Sequence, residues 1–480
     1  MSLRPTRVAA VGCALCLFLT GGSPQTAPNY LVEIKTTNAQ DIGHRLEESG
    51  FDVASISTSK SMVQVVTADP SKINRFANNF GLNSDEFEVA SIVRSVAYSS
   101  FRSEDAGEDY FDYAKTKTRL QQLADANRDI AKVFNLNEWL GLPKTREGND
   151  IIALQISRNP GQIEDEPKIA FVAQHHAREL MTHHTVLDTA AHLLEEIQSG
   201  NQKYTKAISE SAIWFIPAVN PDGLNYVFSA DRMWRKNRST NTDGSRGVDL
   251  NRNYEFKWGE CGQNSATPSS DIFKGPAASS EPEVQLMDAL NDRLHFQYLI
   301  SYHSSGNEVL YPYRCGELAE SSVVHDLRDR LAAELNFGQR YGSSSGEDYE
   351  HHYANYGTLA FLLEIGEEFQ PEFSEYENTV FPNVRKVLPF IIEELQAPTL
   401  QIKVSDRKDS KAIEAKITID EIPFQEGEKR HTDAFGSYRW RLDPGTYHVN
   451  ISAAGYKSQK LTVQIPSQSL RHEVKLERSN

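Results

Sequence analysis

Cysteine is scarce in this chain, with four in 480 residues. Two of these, Cys13 and Cys16, fall in an N-terminal apolar stretch. That leaves too few for a disulfide-built scaffold. Basic residues are outnumbered, 50 Lys and Arg against 66 Asp and Glu, giving a formal charge of −16. That balance argues against nucleic-acid binding, which needs a basic face. Beyond the N-terminus no run is long and apolar enough to span a bilayer. Internal repeats and low-complexity segments are missing too, which excludes repeat architectures.

What is present begins with an export signal. Arg4 and Arg7 precede the apolar run 8–20, and small residues follow at Gly21, Gly22 and Ser23. Residues 1–26 therefore read as a signal peptide of a secreted or periplasmic protein. A lipid anchor at Cys13 fits poorly, because the preceding Ala-Val-Gly is a weak match. Cys261 and Cys315 remain, and in an oxidising compartment they most simply pair; the alternative is two buried thiols.

A length of 480 residues gives a prior of about three domains. Residues 27–98 read as a small α+β unit, with strands at 30–34, within 53–66 and at 87–96 and helices at 39–48 and 70–80. No residues there cluster for chemistry. The polar, acidic stretch 99–109 reads as an exposed linker, with Arg94 and Arg102 open to a trypsin-like protease. Over 110–397, apolar strands at 151–156, 169–173, 212–219, 296–302 and 358–364 alternate with helical stretches. This predicts an α/β domain, a mixed sheet covered by helices on both faces, with its site at strand ends. From 398 to 480, short period-two strands separated by turns predict a small β-sandwich.

Polar motifs fall at those strand ends. His175-His176-Ala177-Arg178-Glu179 follows the strand 168–173, so His176 and Glu179 offer an imidazole and a carboxylate for Zn²⁺. His303, after 296–302, is the best third ligand. His175, His183, His184, His192, His351 and His352 compete: His183 and His184 open a helix, His192 lies within one, and His351 and His352 sit in a loop. Three protein ligands leave a position for water, as catalytic zinc requires. Glu364 ends another strand and suits a general base and acid. Arg232, Arg235, Asn251 and Arg252 lie in loop-like sequence, and Arg suits a carboxylate or an oxyanion.

Residues from about 110 to 395 resemble the zinc carboxypeptidases of the pancreatic carboxypeptidase A/B superfamily. The matching segments, in family order, are His176-Ala-Arg-Glu179, Asn220-Pro-Asp-Gly223, Arg232-Met-Trp-Arg235-Lys-Asn-Arg, Gly247-Val-Asp-Leu-Asn251-Arg252-Asn, Ser280-Glu-Pro-Glu283, His303-Ser304, Tyr311-Pro-Tyr313 and Glu364-Ile-Gly. Arg146-Glu-Gly-Asn-Asp-Ile151 also matches, with Asn149 where a basic residue is more usual.

The resemblance implies that His176, Glu179 and His303 bind one Zn²⁺ and that Glu364 is general base and acid. It implies that Arg235 stabilises the oxyanion and that Asn251 and Arg252 hold the substrate's terminal carboxylate. Arg178 would contact substrate beyond the scissile bond, and Asp249 would orient His176. A mobile tyrosine of the family matches Tyr341, with Tyr349, Tyr353 and Tyr356 as competitors. The first unit is placed like an inhibitory propeptide, cleaved within 93–109, and the last resembles a transthyretin-like domain. Expected substrates are peptide or protein C-termini.

Specificity is left open. Glu347 or Asp348 at the pocket floor would select a basic terminal residue, whereas Arg314 would favour an acidic one. The alternative function is a zinc-dependent deacylase or peptidoglycan amidopeptidase on the same scaffold, which needs no clamp for a free carboxylate. A non-catalytic binding protein would have lost a ligand or Glu364.

Overall fold

The computed structural model describes residues 29–57, 60–84, 86–96, 109–465 and 468–479. The expected signal peptide, Arg102 and nearly all of the linker lie outside these residues.

Strands β1 (Tyr30–Lys35), β2 (Asp52–Ser57), β3 (Met62–Thr67) and β4 (Glu88–Arg94) form an antiparallel sheet in the order β2-β3-β1-β4. Helices Ala39–Glu48 and Ser71–Phe80 cover it. Val32, Ile34, Val63 and Val65 meet Ile42, Leu46, Ile73 and Phe76 in a small core. The period-two and helical spacings put those residues on facing sides.

The central sheet has eight strands: β5 (Ala131–Asn135), β6 (Ile152–Ile156), β7 (Lys168–Ala173), β8 (Ala212–Ile216), β9 (Tyr298–His303), β10 (Glu308–Tyr311), β11 (Gly338–Tyr341) and β12 (Leu359–Glu364). Their order is β11-β10-β12-β9-β7-β8-β6-β5. The middle four, β12-β9-β7-β8, are parallel, and both flanks carry antiparallel pairs. β7 explains why its sequence has no polar face. Ile169, Phe171 and Ala173 enter the core under helix Leu180–Gln198, while Ala170 and Val172 enter the core under helix Pro282–Leu294. A strand buried on both faces must be apolar throughout.

The C-terminal strands, β13 (Thr399–Asp406) through β14 (Lys416–Ile419), β15 (Ser437–Arg441), β16 (Gly445–Ser452), β17 (Gln459–Ile465) and β18 (Leu470–Leu476), form two three-stranded sheets, β15-β13-β18 and β14-β16-β17. Leu400, Ile402, Val404, Ile417, Val449 and Val463 alternate inward to make their shared core. Glu320 anchors this unit to the central one. It takes hydrogen bonds from Arg430 Nη2 at 2.8 Å, Tyr353 Oη at 2.7 Å and the Trp440 indole N–H.

One local reading fails. His351 and His352 are not in a loop but inside the helix Asp348–Tyr356, and both are buried. The string Asp-Tyr-Glu-His-His-Tyr-Ala-Asn-Tyr has no helical stripe because every face of this turn is enclosed. Cys261 and Cys315 are joined, with Cα atoms 6.3 Å apart. Among the described residues no helix is long and apolar enough to cross a membrane.

Candidate active site

The parallel strands β7, β9 and β12 end side by side, and three of the predicted residues stand at those ends. Ala173 pairs with Tyr302, and His303 with Glu364, across neighbouring strands. After β7 the chain turns sharply at Gln174, where φ is +65°. The Gln174 side-chain Nε2 donates to the Glu179 carbonyl at 2.9 Å, and Asn220 Nδ2 donates to the His175 carbonyl at 3.1 Å. The Ala177 N–H donates to the Arg235 carbonyl at 2.9 Å. These bonds, rather than local propensity, fix the loop and seat Arg235 beside it.

His176 Nδ1 lies 2.7 Å from Glu179 Oε1 and 3.1 Å from His303 Nδ1, and His303 Nδ1 lies 3.2 Å from Glu179 Oε2. All three side chains are buried. His176 Nε2 faces Asp249 Oδ1 at 3.2 Å. His176 thus sits between two carboxylates, and with a cation on Nδ1 it is Nε2 that would carry the proton and donate it to Asp249. Two imidazole nitrogens and a carboxylate thus point into one small space. Two ring nitrogens 3.1 Å apart repel unless a proton or a cation sits between them. This donor set suits zinc in type and number.

The charges agree. Burial alone would lower the His303 imidazole, but the Glu179 carboxylate beside it carries it up to about 9. Burial, reinforced by Glu179, pushes the Glu364 carboxyl up to about 8. Burial would raise Glu179 itself, yet His176 and His303 hold it well below the usual range. A divalent cation on the three donors would displace the imidazole proton and favour ionised Glu364. Among the described residues Glu364 Oε2 is buried with no hydrogen-bond partner, and Oε1 lies 3.8 Å from Arg340 Nη2.

Arg235 is clamped by Asp249, with Nε and Nη2 at 3.0 and 2.9 Å from Oδ2. One carboxylate therefore orients both His176 and Arg235. Asn251 and Arg252 stand on the short turn that Asp249 caps, and the Asn251 N–H donates to Asp249 Oδ1 at 3.0 Å. Arg252 donates to the Gln263 carbonyl at 2.7 Å and to Glu347 Oε1 at 2.9 Å. Gly346 makes this approach feasible. Its φ is +81°, and a Cβ there would meet the Arg252 carbonyl oxygen at 2.7 Å.

These groups share a cleft of about 570 Å³, lined among others by His176, Glu179, Arg235, Asn251, Arg252 and Glu364. Tyr341 is not part of its lining. It is 46% exposed on β11, with its ring 4.6 Å from that of Tyr311. Its competitors Tyr349 and Tyr353 are buried, as is Tyr356. Glu347 lines the cleft but is paired with Arg252, and Asp348 faces His175 at 3.8 Å. Arg314 is exposed and does not line the cleft.

Sequence reasoning placed the first unit like a propeptide but missed how it meets this cleft. Its other wall is the N-terminal unit, from Glu48 to Val53 and from Val66 to Ala68. Asp52 reaches in and takes both guanidinium nitrogens of Arg178, with Nη2 to Oδ1 at 2.5 Å. Arg178 also lies over the Phe369 ring, 4.2 Å from its centroid. Leu31, Ala54 and Val66 bury themselves against Met233 and Phe369, and Ser305 Oγ donates to the Ala54 carbonyl at 3.1 Å. Nothing in the sequence around Asp52 marks it. Arg340 was also passed over. It alternates with Tyr341 on β11, and that alternation was the available signal.

Comparison with known proteins agrees with this geometry. The family description "Zinc carboxypeptidase" matches residues 117–377, and "Carboxypeptidase regulatory-like domain" matches 399–477. A carboxypeptidase B of Helicoverpa zea is 31% identical over 249 residues, 50% of this chain and 53% of that one. A metallocarboxypeptidase A of Trichophyton tonsurans is 27% identical over 313 residues, 63% of this chain and 74% of that one. The chain spans between about half and two thirds of the first such relatives. The crystal structure of carboxypeptidase A from Helicoverpa armigera superposes with a TM-score of 0.59 at 22% identity, covering 76% of this chain and 96% of that one. That of thrombin activatable fibrinolysis inhibitor gives 0.58 at 17%, covering 76% and 98%. At such identities they show the fold alone. With more than half its length matched by the family description, the chain belongs to the zinc carboxypeptidases.

Proposed function

We propose that this chain is a secreted or periplasmic zinc-dependent carboxypeptidase, made as a zymogen, that hydrolyses the C-terminal peptide bond of peptides or proteins. The observation that carries the reading is the convergence of His176, Glu179 and His303 beside Glu364, with Arg235 and Arg252 in the same cleft.

His176, Glu179 and His303 would hold one zinc ion, which when bound supplies Lewis acidity toward a carbonyl and makes water easier to deprotonate. Glu364 takes a proton from the attacking water and passes it to the leaving amine nitrogen. Arg235, held rigid by Asp249, donates to the oxyanion as it forms. Arg252, with Asn251, binds the free terminal carboxylate and so restricts cleavage to the last bond. Arg178 binds the chain beyond the scissile bond once Asp52 has left it. The N-terminal unit, closing the cleft and occupying Arg178, serves as an inhibitory propeptide, and cleavage in 93–109 releases it. The deacylase reading is not retained, because it gives Arg252 no purpose.

The test is release of free C-terminal amino acids from a mixed peptide library by the cleaved protein. Release should stop on chelation and return with zinc. Arg252→Ala should abolish the preference for a free carboxylate over a C-terminal amide. Metal-independent release, or equal cleavage of amidated peptides by the parent, would overturn the assignment.

A further inference from the structure

A second group of metal-type donors lies outside the lining of the cleft and joins two units of the chain. Helix Pro282–Leu294 ends at His295, whose backbone takes the left-handed conformation, φ 48° and ψ 67°, while its N–H closes on the Asn291 carbonyl. Asp292 sits in the last turn of the same helix, three residues earlier. Facing them is His431 of the C-terminal unit, which pairs with Lys416 in an antiparallel bridge. The imidazole centroids of His295 and His431 are 5.5 Å apart and nearly perpendicular, at 83°. One ligand atom each of Asp292, His295 and His431 lies within 4.8 Å of the other two.

Two further observations point to a ligand. Among the described residues His295 Nδ1 is buried and makes no well-formed hydrogen bond, only a weaker backbone interaction with Asp292. Glu414 and His431 both line an open groove of about 890 Å³, which gives an ion a route from solvent. Around zinc, with bonds of roughly 2.0–2.1 Å, ligand atoms sit closer together than 4.8 Å, so these donors close in on binding.

We propose that Asp292, His295 and His431 bind a second divalent transition-metal ion of zinc type, which clips the helix Pro282–Leu294 to the C-terminal sandwich. Asp-His-His is a donor set for Zn²⁺ rather than for Mg²⁺ or Ca²⁺, which prefer oxygen ligands alone. An ion held between two units stabilises their docked arrangement over any separated one. This proposal does not depend on the peptidase reading.

The experiment counts metal. The full chain is stripped with a chelator, reloaded with zinc, desalted and measured by inductively coupled plasma mass spectrometry. His431→Ala and Asp292→Ala should each carry one zinc per chain fewer than the parent. Asp292 lies on an exposed helix face, so this variant keeps the count interpretable if His431→Ala fails to fold. Zinc should also raise the parent's thermal midpoint further than that of either variant. Equal zinc counts in parent and Asp292→Ala, with equal zinc-induced shifts, would overturn the proposal. A parent holding one ion and variants holding none would still support it, and would instead put the cleft's ion in question.

Discussion

Replacing Asp52 by Ala tests the proposed latch on the cleft. The Asp52 carboxylate takes both terminal nitrogens of Arg178, whose side chain is 1% exposed against 15% for Asp52. Removing one partner of a buried pair leaves an uncompensated charge and costs about 3–5 kcal/mol. Asp52 retains some contact with water, so the lower figure applies. In the opened chain Arg178 regains water, and the cost therefore falls on the closed state alone. About 3 kcal/mol shifts the closed-to-open equilibrium roughly 10²-fold. The intact Asp52→Ala chain should release C-terminal amino acids roughly 10² times faster than the intact parent, up to the ceiling set by cleaved enzyme. The cleaved forms should be equal, because the residue departs with the N-terminal unit. Asp52→Glu should restore much of the latency. The reasoning is refuted if the intact parent already matches its cleaved form, or if Asp52→Ala leaves intact activity unchanged.

Glu364→Gln should lower kcat by about 10²–10⁴ while zinc content, measured by mass spectrometry, stays at the parental value; near-parental turnover would remove Glu364 from proton transfer. The latch should also resist mild acid. Burial would raise the Asp52 carboxyl, but Arg178 outweighs it and holds it below its ordinary value of 3.8. A lowered folded-state pKa means that its contribution is complete above the ordinary value and is lost only as pH falls through the depressed one. The ratio of intact to cleaved activity should therefore be the same at pH 5 as at pH 7, and a ratio climbing towards one at pH 5 would contradict this. Glu320→Ala should strand the buried Arg430 guanidinium and lower stability by about 3 kcal/mol, read from the urea midpoint; an unmoved midpoint would show that the sandwich unfolds independently of Glu320.

The layers of this protein are legible from residue pattern because they rest on periodicity and burial. Lys168–Ala173 is apolar throughout because its two faces feed two cores, and β13 to β18 alternate because one face meets a partner sheet. His176, Glu179, His303 and Glu364 could be picked out because chemistry at a parallel sheet belongs at strand ends, and each follows an apolar run. Their convergence was a matter of topology: β7, β9 and β12 are neighbours in the sheet though far apart in the chain. The resemblance gave Asp249 to His176, but only the folded chain showed that it also holds Arg235, because the loops that carry them meet through tertiary hydrogen bonds such as Ala177 N–H to the Arg235 carbonyl. The enclosed helix Asp348–Tyr356 was hidden because burial on every side leaves no stripe to read. Asp52 carried no local signal at all. Its role comes from where the N-terminal sheet docks, and docking is decided by surfaces such as Leu31, Ala54 and Val66 against Met233 and Phe369, which no single segment of sequence contains.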